Sequence, residues 1–282
     1  MFKQNRTETA LGNSHFSDSR SAVALAITCL VLACSLIGAC ASQASSSKDV
    51  KTESDRTDTE RRARLRLELA SGYFARGQIS TALDEVKAAL VSKPDMPEAY
   101  NLRGLIYANM SEEVLAEESF KKALQIAPRD ADTLHNYGWY LCQRARYADA
   151  IGYFDQATTV PQYTGAGRSL MAKGICEARA GQLDAAERSL SRAFEYEPAN
   201  PAIAVNLAEV LCRRGEYERA RFYIRRVNAV PEQATASNLW LAMRIEKRLG
   251  NDNGARDLGE KLRRNYGQSN EAASYEAGRF DE

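Results

Sequence analysis

Residues 131–157 read ADTLHNYGWYLCQRARYADAIGYFDQA, and the rest of the chain is understood from this stretch. Leu134, Tyr137, Gly138 and Leu141 recur at helical spacing, and Ala150, Phe154 and Ala157 do so again after a polar break from Gln143 to Ala148. The spacing predicts two short amphipathic helices joined by a turn. Large apolar residues alternate with small ones, so the helices can approach closely and interlock. A single hairpin of this kind cannot bury its own apolar face, so neighbours with the same pattern are expected.

The pattern recurs along the chain. A small residue stands at Ala70, Gly104, Gly138, Gly174, Ala208 and Ala242, at separations of 34, 34, 36, 34 and 34 residues. The alanine of the second helix returns in phase at Ala82, Ala116, Ala150, Ala186 and Ala220. Val86, Phe120, Phe154, Leu190 and Ile224 follow it, and Ala89, Ala123, Ala157 and Ala193 come next. Pro94, Pro128 and Pro198 close three units, where a proline cannot continue the hydrogen-bond ladder. This period is the tetratricopeptide signature. The expected fold is all-α, a superhelical solenoid of about six helix-turn-helix repeats stacked around one continuous core. The units are placed at 63–96, 97–130, 131–166, 167–200, 201–234 and 235–266, with a polar, frayed tail over 267–282. Glu177 stands where an aromatic is expected, so packing in the fourth unit should be unusual.

The repeats are preceded by a different kind of sequence. Arg20 leads into the apolar run AVALAITCLVLACSLIGA over residues 22–39, with Cys40 immediately after. A positive start, an apolar centre and small residues before the cut predict an export signal over 1–39. Ile37-Gly38-Ala39-Cys40 resembles a bacterial lipobox, which marks Cys40 for covalent lipid. An uncleaved membrane anchor is the alternative, because the run is close to the roughly 18-residue minimum for a span. The long stretch before the run leaves the translation start open. Ala41, rather than an aspartate, follows the cysteine; by the lipoprotein sorting rule of Gram-negative bacteria this implies the outer membrane, facing the periplasm. Residues 40–62 are read as the lipidated cysteine and a flexible polar tether, about 25 Å across for 20 residues.

Composition narrows the function. The chain of 282 residues carries a net charge of +1. Lys3, Arg6 and Arg20 against Glu8 and Asp18 account for it, leaving residues 40–282 formally neutral, without a nucleic-acid footprint. The arginines around Arg213, Arg219 and Arg225 read as a solvated helix face. His15 and His135 are the two histidines. No phosphate loop, metal-ligand spacing or Cys-x-x-Cys motif is present, so no cofactor, small-molecule substrate or enzymatic activity is expected. His135 is expected to be solvated or to line a groove. Cys142 and Cys176 fall at positions 12 and 10 of adjacent first helices, within reach of a disulfide; two buried free thiols are the alternative. Cys212 reads as a small apolar filler.

Positions 2, 5, 9 and 12 of each first helix face the concave side of this repeat. They place Arg64, Leu67, Ser71 and Phe74 there in the first unit. The second unit contributes Glu98, Asn101, Leu105 and Ala108, and the third Asp132, His135, Trp139 and Cys142. The apolar members either are covered by neighbouring chain or form a groove for an amphipathic helix or extended peptide.

Asn136-Tyr137-Gly138-Trp139-Tyr140-Leu141-Cys142 resembles the NYGW(F/Y)LC stretch of the type IV pilus biogenesis and stability lipoproteins, the PilF/PilW family. Gly174-Ile175-Cys176-Glu177-Ala178 resembles that family's later segment. The resemblance covers roughly residues 30–270 and departs from the family at Asn265-Tyr266-Gly267-Gln268-Ser269, which lacks its proline. It implies a Cys142–Cys176 disulfide and a pilotin, an assembly factor that localises and multimerises the outer-membrane secretin of type IV pili. The partner contact is then implied in the early repeats, at the groove above. The alternative is a repeat scaffold for cell-wall enzymes or polysaccharide export.

Overall fold

The computed structural model describes residues 53–280; the apolar run, the lipobox and Cys40 lie outside the described residues. Every regular element among the described residues is helical. Unit one is α1 (Glu53–Ala75) and α2 (Ile79–Ser92), unit two α3 (Pro97–Asn109) and α4 (Glu113–Ile126), and unit three α5 (Ala131–Gln143) and α6 (Tyr147–Thr158). Unit four is α7 (Ala166–Arg179) and α8 (Leu183–Tyr196), unit five α9 (Pro201–Arg213) and α10 (Tyr217–Asn228), and unit six α11 (Ala236–Arg248) and α12 (Asp252–Tyr266). A seven-residue helix, α13 (Asn270–Glu276), follows.

Local sequence sets where these helices begin. Pro97 and Pro201 open α3 and α9 at a position whose N–H has no intrahelical partner. The Asp130 carboxylate accepts from the Thr133 backbone N–H at 3.0 Å and caps α5. Each helix-to-helix turn passes through a left-handed residue. Gly77, Gly181, Gly215 and Gly250 hold it in units one, four, five and six, whereas Ser111 (φ 62°) and Ala145 (φ 58°) hold it in units two and three.

The phased small residues let the helices cross. Ala82, Ala116, Ala150, Ala186 and Ala220 are wholly buried, as are Val86, Phe120, Phe154, Leu190 and Ile224. The aromatic edge of the second helix lies where the first helix has no Cβ. A Cβ on Gly104 would stand 2.7–2.9 Å from three Phe120 ring atoms, and one on Gly138 3.1 Å from the Phe154 ring. Phe120 also stacks on Tyr137 of the next unit at 5.3 Å between centroids, so one side chain ties two hairpins. The Tyr137 hydroxyl donates to Glu117 at 3.2 Å.

Two boundaries differ from those the composition suggests. The tether expected over 40–62 gives way to helix from Glu53. Arg61 pairs with Asp58 at 3.4 Å, Arg64 with Glu60 at 3.2 Å, and Lys93 reaches Glu60 at 3.0 Å. Glutamate and arginine are good helix formers, and extending an existing helix needs no apolar stripe. The tail expected to fray over 267–282 is instead packed as far as residue 280. Ser269 caps α13, Ala272 is wholly buried, Tyr275 fills the space left by Gly259, and Phe280 stacks on Trp240 at 5.9 Å. A few aromatics thus close the last repeat.

Candidate functional site

Seven of the eight candidate groove residues remain at least partly exposed. Leu67, Phe74, Asn101, Leu105, Ala108 and Trp139 are half-buried, and Ser71 is exposed. Leu105, Ala108 and Trp139 pack into one apolar cluster with Tyr107 and Tyr153, and Leu67 and Phe74 pack into the adjacent one. First helices two and three are linked by Asn136 Nδ2 donating to Asn101 Oδ1 at 3.2 Å. The Arg179 guanidinium sits 5.4 Å from the Trp139 ring centroid, a cation over an aromatic face.

His135 departs from expectation. It is 8% exposed, neither solvated nor lining an open groove. Ser169, the third residue of unit four, packs over it, with Oγ 2.9 Å from Nδ1, and the Phe154 ring stands 5.8 Å away. Burial, followed by the Arg168 charge, lowers its pKa to about 4, so it is neutral at pH 7. Arg168 is itself held by Asp132 at 2.8 Å. The serine that meets His135 is wholly buried, so the pair presents no nucleophile to solvent.

Cys142 and Cys176 are joined, with Cα atoms 5.8 Å apart, both fully packed away from solvent. The bond ties α5 to α7 beneath Trp139, across the long connection between units three and four. Cys212 is a half-buried free thiol, and burial pushes its pKa up, against reactivity.

The apolar strip runs further than the first three units. Met171 of α7 and Val205 and Cys212 of α9 lie half-buried together over the core of units four and five. They occupy positions 5, 5 and 12 of their units, so extending the register used for the first three units finds them. Arg179 escapes that rule because it is the last residue of α7, outside the positions the register uses, and reaches Trp139 on the neighbouring first helix. Among the described residues no group of histidines, cysteines and carboxylates could hold a metal ion, and no helix is long and apolar enough to cross a membrane. The arrangement suits binding: half-buried apolar and aromatic side chains on rigid helices, an adjacent cation and an amide pair.

Comparison with known proteins gives a consistent result. The tetratricopeptide repeat family matches residues 67–131, 119–152 and 177–244. The type IV pilus assembly protein PilF of Pseudomonas aeruginosa is 27% identical over 211 residues, covering 75% of this chain and 83% of PilF. The crystal structure of PilW, described as a widely conserved type IV pilus biogenesis factor, aligns with a TM-score of 0.70 at 32% identity, over 76% of this chain and 97% of PilW. A structure of Pseudomonas aeruginosa PilF aligns with a TM-score of 0.69 at 24% identity, over 79% of this chain and 99% of PilF, and speaks for the fold.

Proposed function

The chain belongs to the PilF/PilW family of type IV pilus biogenesis factors, and from that premise we propose that it is a non-enzymatic pilotin, binding secretin subunits in its groove and carrying them to the outer membrane. The observation that carries the reading is the half-buried strip of Leu105, Ala108 and Trp139 with Arg179 over the indole. Such side chains are the usual anchors of a bound helix or strand. The lipid anchor at Cys40 and the periplasmic, outer-membrane location rest on the lipobox and on Ala41. More than one acyl chain on that cysteine would hold the protein firmly at the bilayer.

The test is made in a deletion strain of the source bacterium. Heat-resistant secretin multimers are quantified in outer-membrane fractions after complementation with wild type, Cys40→Ala or Trp139→Ala. Loss in the deletion, rescue by wild type, mislocalised multimers with Cys40→Ala and reduced multimers with Trp139→Ala support the proposal. Unchanged multimers in every strain would reject it.

A further inference from the structure

The groove is basic along its second half and not along its first. The last turn of α7 holds Arg179, that of α9 Arg213, and that of α11 Lys247 and Arg248. The last turns of α1, α3 and α5 hold no basic residue. A helix C-terminus favours a cation wherever it occurs, so the dipole does not explain why units four to six carry them and units one to three do not.

These side chains reach back onto the apolar strip. Arg179 lies 5.4 Å from the Trp139 ring centroid, and Arg213 Nη1 donates to the Ala178 carbonyl at 3.1 Å, each crossing to the first helix of the unit before. Arg244 and Arg248 of α11 stand near enough to Cys212 of α9 for their charges to act on its thiol. Trp139, Ala178 and Cys212 hold concave positions 9, 12 and 12 of their units, so the four arginines follow one line of the groove. Arg179 and Arg213 are exposed and take part in none of the ion pairs among the described residues. The carboxylates of these units do not balance them. Glu209 also acts on Cys212, but Glu246 is held by Arg225 at 2.7 Å and Asp184 by Arg214 at 3.0 Å. Glu177 is 4% exposed, with Oε2 buried and lacking a hydrogen-bond partner, and does not reach the groove. At the other end the sign is reversed. Glu68, Asp95 and Glu98 line a hollow of about 330 Å³ beside Leu67, while Arg64 and Lys93 there are both held by Glu60, at 3.2 and 3.0 Å.

We propose that the occupant of this groove is an amphipathic peptide segment that carries carboxylates beside its apolar face where it crosses units four and five. Its apolar side chains lie on Trp139, Met171 and Val205, and its carboxylates meet Arg179, Arg213 and Arg244. A concave strip admits a helix or an extended chain and not the flat face of a bilayer. Charges of this kind steer encounter and fix register more than they add affinity, and salt weakens them. The inference rests on the groove being the partner's seat, as proposed above, and adds the chemistry of what sits there.

The test begins with a photo-crosslinking benzoylphenylalanine at Trp139 and, in a second strain, at Val205, in piliated cells, with the crosslinked peptides identified by mass spectrometry. The expected result is one partner at both positions, and a segment at 205 with more carboxylates than basic residues. That segment is then synthesised and titrated calorimetrically into the full chain. Arg179→Glu with Arg213→Glu, both at exposed positions, should weaken binding about tenfold, and added salt should weaken it in wild type. Arg179→Lys with Arg213→Lys keeps the charge and should bind nearly as wild type does. An adduct at 139 with none at 205, a different partner or only lipid at 205, a neutral or basic segment there, or indifference to the reversed charges would overturn the inference and leave the groove reading standing. Adducts from neither position would remove the groove reading, and this inference with it.

Discussion

The crossing of α3 and α4 makes a sharp prediction about size complementarity. Gly104 has no Cβ, and the space it would take is occupied by the Phe120 ring edge at 2.7–2.9 Å. Gly104→Ala therefore drives a methyl into a ring that is itself wedged against Tyr137 and Tyr140 at 5.3 and 5.6 Å. Overpacking of this kind costs about 1–3 kcal/mol, against about 1 kcal/mol gained from helix propensity, leaving a net loss of up to about 2 kcal/mol. Phe120→Ala removes a wholly buried ring and should cost about 3–5 kcal/mol. In that background the clash is gone and the added methyl partly fills the cavity, so Gly104→Ala should stabilise by about 1 kcal/mol. The effect becomes stabilising, with a coupling of about 1–3 kcal/mol. Urea unfolding of the four proteins, followed by circular dichroism, measures it. Additivity within about 0.5 kcal/mol would refute the claim that this glycine and this phenylalanine share one space.

Further predictions follow from the turns, from His135 and from the disulfide. Ala145→Gly and Ser111→Gly relieve left-handed backbone and should each stabilise by about 0.5–1 kcal/mol, whereas Gly181→Ala, at φ 78° with open space around it, should cost about 1 kcal/mol; melting temperatures decide. The folded pKa of His135, about 4, lies below its unfolded value of about 6.5, so only the unfolded chain takes up this proton between those values. Its contribution to stability is therefore constant above about pH 6.5 and lost progressively down to about pH 4, by at most about 3 kcal/mol. His135→Gln should flatten that part of the curve relative to wild type, and identical pH profiles would count against a buried neutral imidazole. Replacing Cys142 and Cys176 together by serine opens a loop of 34-residue separation and should lower stability by about 3–4 kcal/mol, while Cys212→Ser should change it little, as denaturant midpoints would show.

The parts of the fold legible in the sequence are those fixed by repeated steric demands. Gly104, Gly138 and Gly174 recur because each faces a bulky side chain of its own second helix, and the alanines recur because helices cross over them. The early extension of α1 was hidden because surface ion pairs leave no periodic mark. The closing contacts of α13 were hidden because Tyr275 and Phe280 each occur once, in a polar context. At the groove, spacing brought Leu105, Ala108 and Trp139 together, since position on a helix decides which face a side chain takes. It misplaced His135 because its burial depends on Ser169 from the next unit, a contact set by how units stack across a connection two residues longer than the rest. Glu177 was visible as an anomaly; the empty acceptor it creates required the surrounding side chains.

The most direct measurement of the central claim is site-specific photo-crosslinking in piliated cells. A benzoylphenylalanine is placed at Trp139 in the groove and, in a second strain, at Val114, which is 71% exposed on α4. The account predicts a secretin adduct from position 139 and none from position 114. A secretin adduct from 114 alone, or groove adducts that never contain secretin, would contradict it.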